Sequence, residues 1–283
     1  DELHTVLDRA AAIKAGEDDT QLPDQTLGML FEKPSTRTRI SFETGMTQLG
    51  GHAIFLGPDD IQLGHGEPIK DTSRAVSRYV DFVMARMFDH DDVVELAEYA
   101  TVPVVNGLTD DAHPCQTLAD LLTIKERFGG FEDVSVAWVG DGNNVAQSFV
   151  LGAALAGLDL TVATPDGYGI DDDVLARAEE LGSRPATTRD PDAAIADADL
   201  VYTDVWVSMG QEDRRQEKLD AFEGFQVTPD RLGDRPLMHC LPAHRGEEVT
   251  DETLESDNAI VWDQAENRLH AQNGLLVWLR EQA

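Results

Sequence analysis

The sequence predicts an α/β protein built from two doubly wound parallel sheets. Three observations carry that prediction. Short apolar runs bounded by turn residues alternate with stretches of helical period along the whole chain. The 283 residues exceed what one domain of roughly 100–200 residues usually holds. Gly129-Gly130 falls near the middle, leaving roughly four β–α units in each half and no internal repeat. Two domains facing a cleft are therefore expected.

In the first half, strands are expected at Leu27–Phe31, Ala53–Leu56, Phe82–Met87 and Val102–Asn106. Helical patterns separate them at Thr36–Leu49, Asp71–Tyr79, Val93–Tyr99 and Gln116–Phe128. The second half offers strands at Val134–Val139, Asp159–Ala163, Leu200–Thr203, Pro236–His239 and Ala259–Val261. Its helices are expected at Val145–Ala156, Asp172–Leu181 and Pro191–Ala196, with a final helix over about Ala265–Glu281. Ligands of such sheets lie beyond the carboxyl ends of the strands, so chemistry is sought in the loops that leave them.

The loop after the first strand reads Glu32-Lys33-Pro34-Ser35-Thr36-Arg37-Thr38-Arg39 and runs into a helix start. Free N–H groups, the hydroxyls of Ser35, Thr36 and Thr38, and the guanidinium groups of Arg37 and Arg39 make a phosphate cradle without glycine. A plain Ser N-cap with surface arginines is the alternative. His113-Pro114-Cys115-Gln116 opens another helix after a strand. His113 and Gln116 can converge on a carbonyl or merely begin a helix, and Cys115 reads as a packing thiol. Gly140-Asp141-Gly142-Asn143-Asn144-Val145 starts like a dinucleotide fingerprint but places Val145 where the third glycine belongs. Its two asparagines suit a zwitterion's carboxylate and amine. Asp204 ends a strand and can take an ammonium group. Ser208-Met209-Gly210 begins a polar stretch through Gln216 that is expected to be a mobile lid. His239-Cys240-Leu241-Pro242 follows a further strand, where one Cys beside one His is weak evidence for a nucleophile. The histidine spacing compels no metal, and Arg268 opens the last helix.

Charge narrows the partners. Lys+Arg is 22 against 54 Asp+Glu, for a net charge of −32, which disfavours nucleic acid and anionic membranes. Acids cluster at turns, as in Asp91-Asp92 and Asp171-Asp172-Asp173, and five lysines stand against 17 arginines. An acidic, lysine-poor surface on an ordered core predicts adaptation to high salt, where screening acts within about 3 Å at 1 M. No apolar stretch is long enough to span a membrane. The start Asp1-Glu2-Leu3-His4 has no signal-peptide pattern, and two cysteines make no disulfide framework, so a reduced cytoplasm is expected.

Taken in order, these segments resemble the aspartate/ornithine carbamoyltransferase family, from Leu27 to Leu279. Ser35-Thr36-Arg37-Thr38-Arg39 and His113-Pro114-Cys115-Gln116 mark the family, while Ser208-Met209-Gly210 and His239-Cys240-Leu241-Pro242 mark its ornithine branch. The aspartate branch typically has His-Pro-Leu-Pro at the last place and no Ser-Met-Gly. The resemblance implies a carbamoyl-phosphate-binding domain over 1–129, an ornithine-binding domain over 130–264, and a helix over 265–283 returning to the first. It implies that Ser35, Thr36, Arg37 and Thr38 hold phosphate and that Arg86 bridges phosphate and carbonyl oxygen. His113 and Gln116 then bind the carbamoyl group, with Arg268 and the Cys240–Leu241 backbone nearby. Asn144, Asp204, Ser208 and Met209 take the amino-acid end of L-ornithine, and Cys240 places the amine. Gln62 matches a loop that reaches a neighbouring subunit, so a trimer or a multiple of trimers with shared sites is implied. No cofactor and no metal are implied.

Rival readings remain on the sequence alone. Another amine can be the acceptor, although Ser208-Met209-Gly210 argues for an α-amino acid. A nucleotide-dependent oxidoreductase lacks the third glycine and an acidic residue ending the next strand. A non-catalytic paralogue is expected to have lost an arginine or the His113–Gln116 pair, and all are present.

Overall fold

A computed structural model describes residues 2–60 and 66–282. In chain order the elements of the first part are α1 (Glu2–Ala15), β1 (Thr26–Phe31), α2 (Thr36–Gln48), β2 (His52–Leu56), α3 (Ile69–Val76), β3 (Phe82–Arg86), α4 (His90–Tyr99), β4 (Val104–Leu108) and α5 (Pro114–Phe128). Next come β5 (Ser135–Val139), α6 (Asn144–Ala156), β6 (Asp159–Ala163), α7 (Asp172–Leu181), β7 (Ala186–Thr188), α8 (Pro191–Ile195) and β8 (Leu200–Thr203). The chain closes with α9 (Arg215–Ala221), α10 (Pro229–Leu232), β9 (Leu237–His239), α11 (Asp251–Leu254) and α12 (Val261–Gln282). It divides into two compact units, Asp1–Leu122 with Asn267–Ala283, and Thr123–Glu266.

The first unit is an all-parallel sheet in the order β2-β1-β3-β4. Strand side chains alternate between faces, and the cores separate accordingly. Leu27, Met29 and Phe31 of β1 and Phe82 and Met84 of β3 pack with Phe42 and Met46 of α2 and with Leu276 and Val277 of α12. Leu30, Val83 and Ala85 face the opposite way, onto Val93 and Leu96 of α4. Both faces are covered, which is why the strands read as near-continuous apolar runs. The last helix is tied to the first by Lys14 Nζ donating to Asn267 Oδ1 at 2.7 Å and by an Arg9–Glu281 ion pair at 2.9 Å.

Between β3 and β4 the register slips, with Ala85 opposite Asn106 and Arg86 opposite Leu108. Gly107 is the extra residue of this bulge. A Cβ there would meet Met84 Sδ at 2.4 Å and the Ala85 carbonyl at 3.1 Å, so only glycine lets the strands close. β4 therefore runs to Leu108 rather than ending at Asn106 as expected.

The second unit is a parallel sheet in the order β7-β6-β5-β8-β9. Trp138 of β5, Phe149 of α6 and Tyr202 of β8 form an edge-on aromatic cluster on one face, with centroids 4.7 Å apart for Trp138–Tyr202 and 5.1 Å for Phe149–Tyr202. On the other, Ala137, Val139 and Val201 pack with Trp206, Phe222 and Phe225.

The expected strand at Ala259–Val261 is not one. Leu237 exchanges two backbone bonds with Asn258 and Ile260, giving a single bridge to Ala259, and Val261 already begins α12. β7 was not expected, because three residues, Ala-Thr-Thr, leave no apolar run. The stretch expected as a mobile lid holds a 3₁₀ turn at Glu212–Arg214 and runs into α9, on which Lys218 is buried. No helix among the described residues is long and apolar enough to cross a membrane.

Candidate active site

Topology locates the sites. In the first sheet β1 is flanked by β2 on one side and β3 on the other, so the connections leaving the carboxyl ends of β1 and β3 diverge. In the second sheet the same reversal falls between β5 and β8. The loops at these two places carry most of the residues singled out from the sequence.

At the first, Phe31 and Arg86 are paired residues at the ends of β1 and β3. Ser35 caps α2, its Oγ accepting from the Thr38 N–H at 3.2 Å and donating to Thr38 Oγ1 at 3.1 Å. The cap leaves Thr36 exposed and Arg37 half-buried in the first turn. Arg86 is buried. Arg268 of α12 is also buried and acts as a clamp, donating to Gln116 Oε1 at 2.8 Å, Thr38 Oγ1 at 3.3 Å and Gln272 Oε1 at 3.1 Å. Gln116 in turn donates to Asp120 at 2.8 Å. Its amide, expected to face a carbonyl, therefore also braces Arg268. Arg39 departs from the expected cradle, pairing with Glu43 at 2.9 Å and stacking on Phe55 at 3.8 Å.

His113 is buried at the start of α5, and its pKa lies well below 6.5. Burial is the largest cause, followed by the positive charges of Arg268, Arg86 and Arg37. The imidazole is neutral at physiological pH, and three guanidinium groups act on one point. Cys115 is buried and donates to the Asn106 carbonyl at 3.4 Å, and burial raises its thiol to about 11. It is a packing residue.

At the second place, Asn143 caps α6, its Oδ1 accepting from the N–H groups of Val145 at 3.0 Å and Ala146 at 3.1 Å. Its Nδ2 donates to Asp204 Oδ2 at 2.8 Å. Asp204 is buried, and its Oδ1 accepts from Cys240 Sγ at 3.0 Å. Asn144 is the first residue of α6. Ser208 is half-buried, while Met209 is exposed. Leu241 has a positive φ of 59°, and its N–H donates to His239 Nδ1 at 2.9 Å. The proton of His239 is thus on Nε2, which donates to Glu248 at 3.1 Å. Gln62 lies outside the described residues.

Sequence reading missed two lysines. Lys33, buried, pairs with Asp110 and ties the loop after β1 to the loop after β4. Lys218, also buried, donates to Asp141 at 2.6 Å, the Trp206 carbonyl at 2.8 Å and Gln211 at 2.6 Å. It pins the start of the polar loop to the turn after β5. Burial, the largest cause, raises the Asp141 pKa, and Lys218 opposes the rise. The signal was available, since two of only five lysines stand next to site loops.

The turn after β5 does not hold a dinucleotide in the usual way. A Cβ on Gly142 would lie 2.4 Å from the Gly169 carbonyl, so this glycine packs on the chain's own backbone rather than opening a path to a pyrophosphate.

Known proteins share this fold. Residues 1–126 match the carbamoyl-P binding domain, and residues 132–279 the Asp/Orn binding domain, of aspartate/ornithine carbamoyltransferase. The chain is 71% identical over 281 residues to an ornithine carbamoyltransferase of Haloquadratum walsbyi, covering 99% of this chain and 94% of that one. The solved ornithine carbamoyltransferase of Pyrococcus furiosus is similar with a TM-score of 0.91 at 51% identity, covering 98% of this chain and 92% of that one. That of Campylobacter jejuni has a TM-score of 0.94 at 39% identity, covering 100% and 96%. The chain belongs to the aspartate/ornithine carbamoyltransferase family.

Proposed function

We propose that this family member is an ornithine carbamoyltransferase, moving the carbamoyl group of carbamoyl phosphate to the δ-amine of L-ornithine to give L-citrulline and phosphate. The observation that carries the reading is the convergence of Arg37, Arg86 and Arg268 on a neutral, buried His113. A dianionic phosphate suits that charge, and a neutral imidazole can donate to a carbonyl without protonating the leaving group.

In this reading residues 1–129 bind carbamoyl phosphate, residues 130–264 bind ornithine, and 265–283 return to the first domain. Ser35, Thr36, Arg37 and Thr38 hold the phosphate at the start of α2. Arg86 bridges phosphate and carbonyl oxygen, and His113 and Gln116 bind the carbamoyl group while Arg268 keeps Gln116 and Thr38 in place. Asn144, Asp204, Ser208 and Met209 receive the amino-acid end of ornithine, with Asn143 orienting Asp204. Cys240 and Leu241 place the amine. The neutral δ-amine attacks the carbamoyl carbon, Arg37, Arg86 and His113 stabilise the oxyanion, the C–O bond to phosphate breaks, and the amine proton is lost. No covalent enzyme intermediate, cofactor or metal is needed, and the same residues serve both directions.

The assembly is a trimer or a multiple of trimers in which Gln62 reaches a neighbouring site, and the location is the cytoplasm. The surface is suited to high salt, supported by the charge of −32. Below a few hundred millimolar salt, an order-of-magnitude threshold, the protein loses structure or dissociates; melting temperature and sedimentation at low and molar KCl check this. Citrulline formation from carbamoyl phosphate tests the function, with aspartate, putrescine and lysine beside ornithine. Turnover with ornithine alone is expected, and preference for another amine overturns the reading.

A further inference from the structure

The loop between β9 and α11 carries three side chains that the reaction above does not use. His244, Glu247 and Glu248 each bring one ligand-capable atom, and these atoms lie within 4.8 Å of one another. His244 Nδ1, Glu247 Oε2 and Glu248 Oε2 are buried atoms with no hydrogen-bond partner among the described residues. Glu248 is wholly buried. A buried acceptor left unpaired is unfavourable, and two carboxylates brought together out of water repel one another.

The remaining atoms of both carboxylates are committed and hold the groups in place. Glu248 Oε1 accepts from His239 Nε2 at 3.1 Å and from the His244 N–H at 2.6 Å. Glu247 Oε1 pairs with Arg215 of α9. His244 Nδ1 stands 3.7 Å from Glu247 Oε2, too far for a hydrogen bond. It is close to the roughly 3.4 Å that separates two tetrahedral ligands held about 2.0–2.1 Å from one ion.

We propose that His244, Glu247 and Glu248 form a binding site for one divalent first-row transition ion of the Mn²⁺ or Zn²⁺ type. One imidazole and two carboxylates suit such ions better than Mg²⁺ or Ca²⁺, which prefer all-oxygen shells. The His244 side chain is 38% exposed, so the site opens to water on that side and closes on Glu248. A bound ion cross-links this loop to itself and, through Glu247 and Arg215, to α9. The sequence expectation of no metal rested on histidine spacing and on the family resemblance, and a His followed by Glu at the third and fourth places did not stand out.

The test is Mn²⁺ binding to chelator-treated, full-length protein in molar KCl, which screens the acidic surface. Calorimetry should show one equivalent bound, with a melting temperature that rises and saturates with it. His244→Gln and Glu247→Gln, both at the open side, should each weaken binding about tenfold or more. Cys240→Ser should leave Mn²⁺ binding unchanged, which separates this site from the Asp204-His239-Cys240 donor set. No saturable Mn²⁺ binding, equal binding in His244→Gln and Glu247→Gln, or loss of binding in Cys240→Ser each overturns the proposal. Glu248→Gln is not the deciding variant, because Glu248 also anchors His239.

Discussion

The crests of the two sheets share a topology and differ in sign. At the end of β1 and β3, three arginines act on one imidazole. At the end of β5 and β8, the buried carboxylates Asp141 and Asp204 stand together, with Lys218 paired to Asp141. The reversal of strand order makes an opening in each sheet, and side chains alone decide what enters it. The lesson extends to the supports. Each crest rests on one buried lysine, Lys33 in the first and Lys218 in the second. In a chain with five lysines, these two act as fixed point charges that hold loops.

The largest effect that sharpens the comparison is on stability. Lys218→Met leaves Asp141 buried without its cation and should destabilise the protein by about 3–5 kcal/mol in urea unfolding. Asp141→Asn in the same chain should recover part of that loss, because no charge is then stranded. Failure of the second change to help would mean that Lys218 acts mainly through Trp206 and Gln211.

Next comes the cationic crest. Arg37→Ala should reduce kcat/KM for carbamoyl phosphate by about 2–4 kcal/mol of transition-state binding, leaving the melting temperature near that of the parent. Near-normal turnover would remove Arg37 from the phosphate site. Its counterpart at the anionic crest is Asp204→Asn, which should raise the KM for ornithine by about 1.5–3 kcal/mol in binding terms and change that for carbamoyl phosphate little. An equal rise for both substrates would make Asp204 a loop brace through Asn143 and Cys240 rather than a ligand group.

The smallest expected effect is a pH slope. His113 is depressed in the folded protein, so the unfolded chain takes up the proton first as pH falls. The stability it supplies is full above the unfolded value of 6.5 and is lost from there toward the folded pKa. Relative to His113→Gln, the parent should therefore lose about 1.4 kcal/mol per pH unit below that point, measured by unfolding at stepped pH. Parallel curves would mean that the imidazole is not held neutral by burial and the arginines.

The sequence by itself determined much of this protein. Nearly every strand was legible, because strands covered on both faces are apolar throughout and stand out between helical patterns. The capped helix start from Ser35 to Thr38 was legible because a cap is a local feature. Asp204 and Cys240 were visible as residues at strand ends. Tertiary structure decided the rest. That Arg268 clamps Gln116 and Thr38 joins residues more than 150 positions apart, which no local pattern encodes. The strand expected at Ala259–Val261 became a single bridge, because the chain turns into α12 after one pairing. The pairing of Lys218, on a short helix, with Asp141 spans 77 positions and was equally invisible to local pattern. Local chemistry is written in neighbouring residues, whereas the partner of a buried charge is fixed only when distant segments meet.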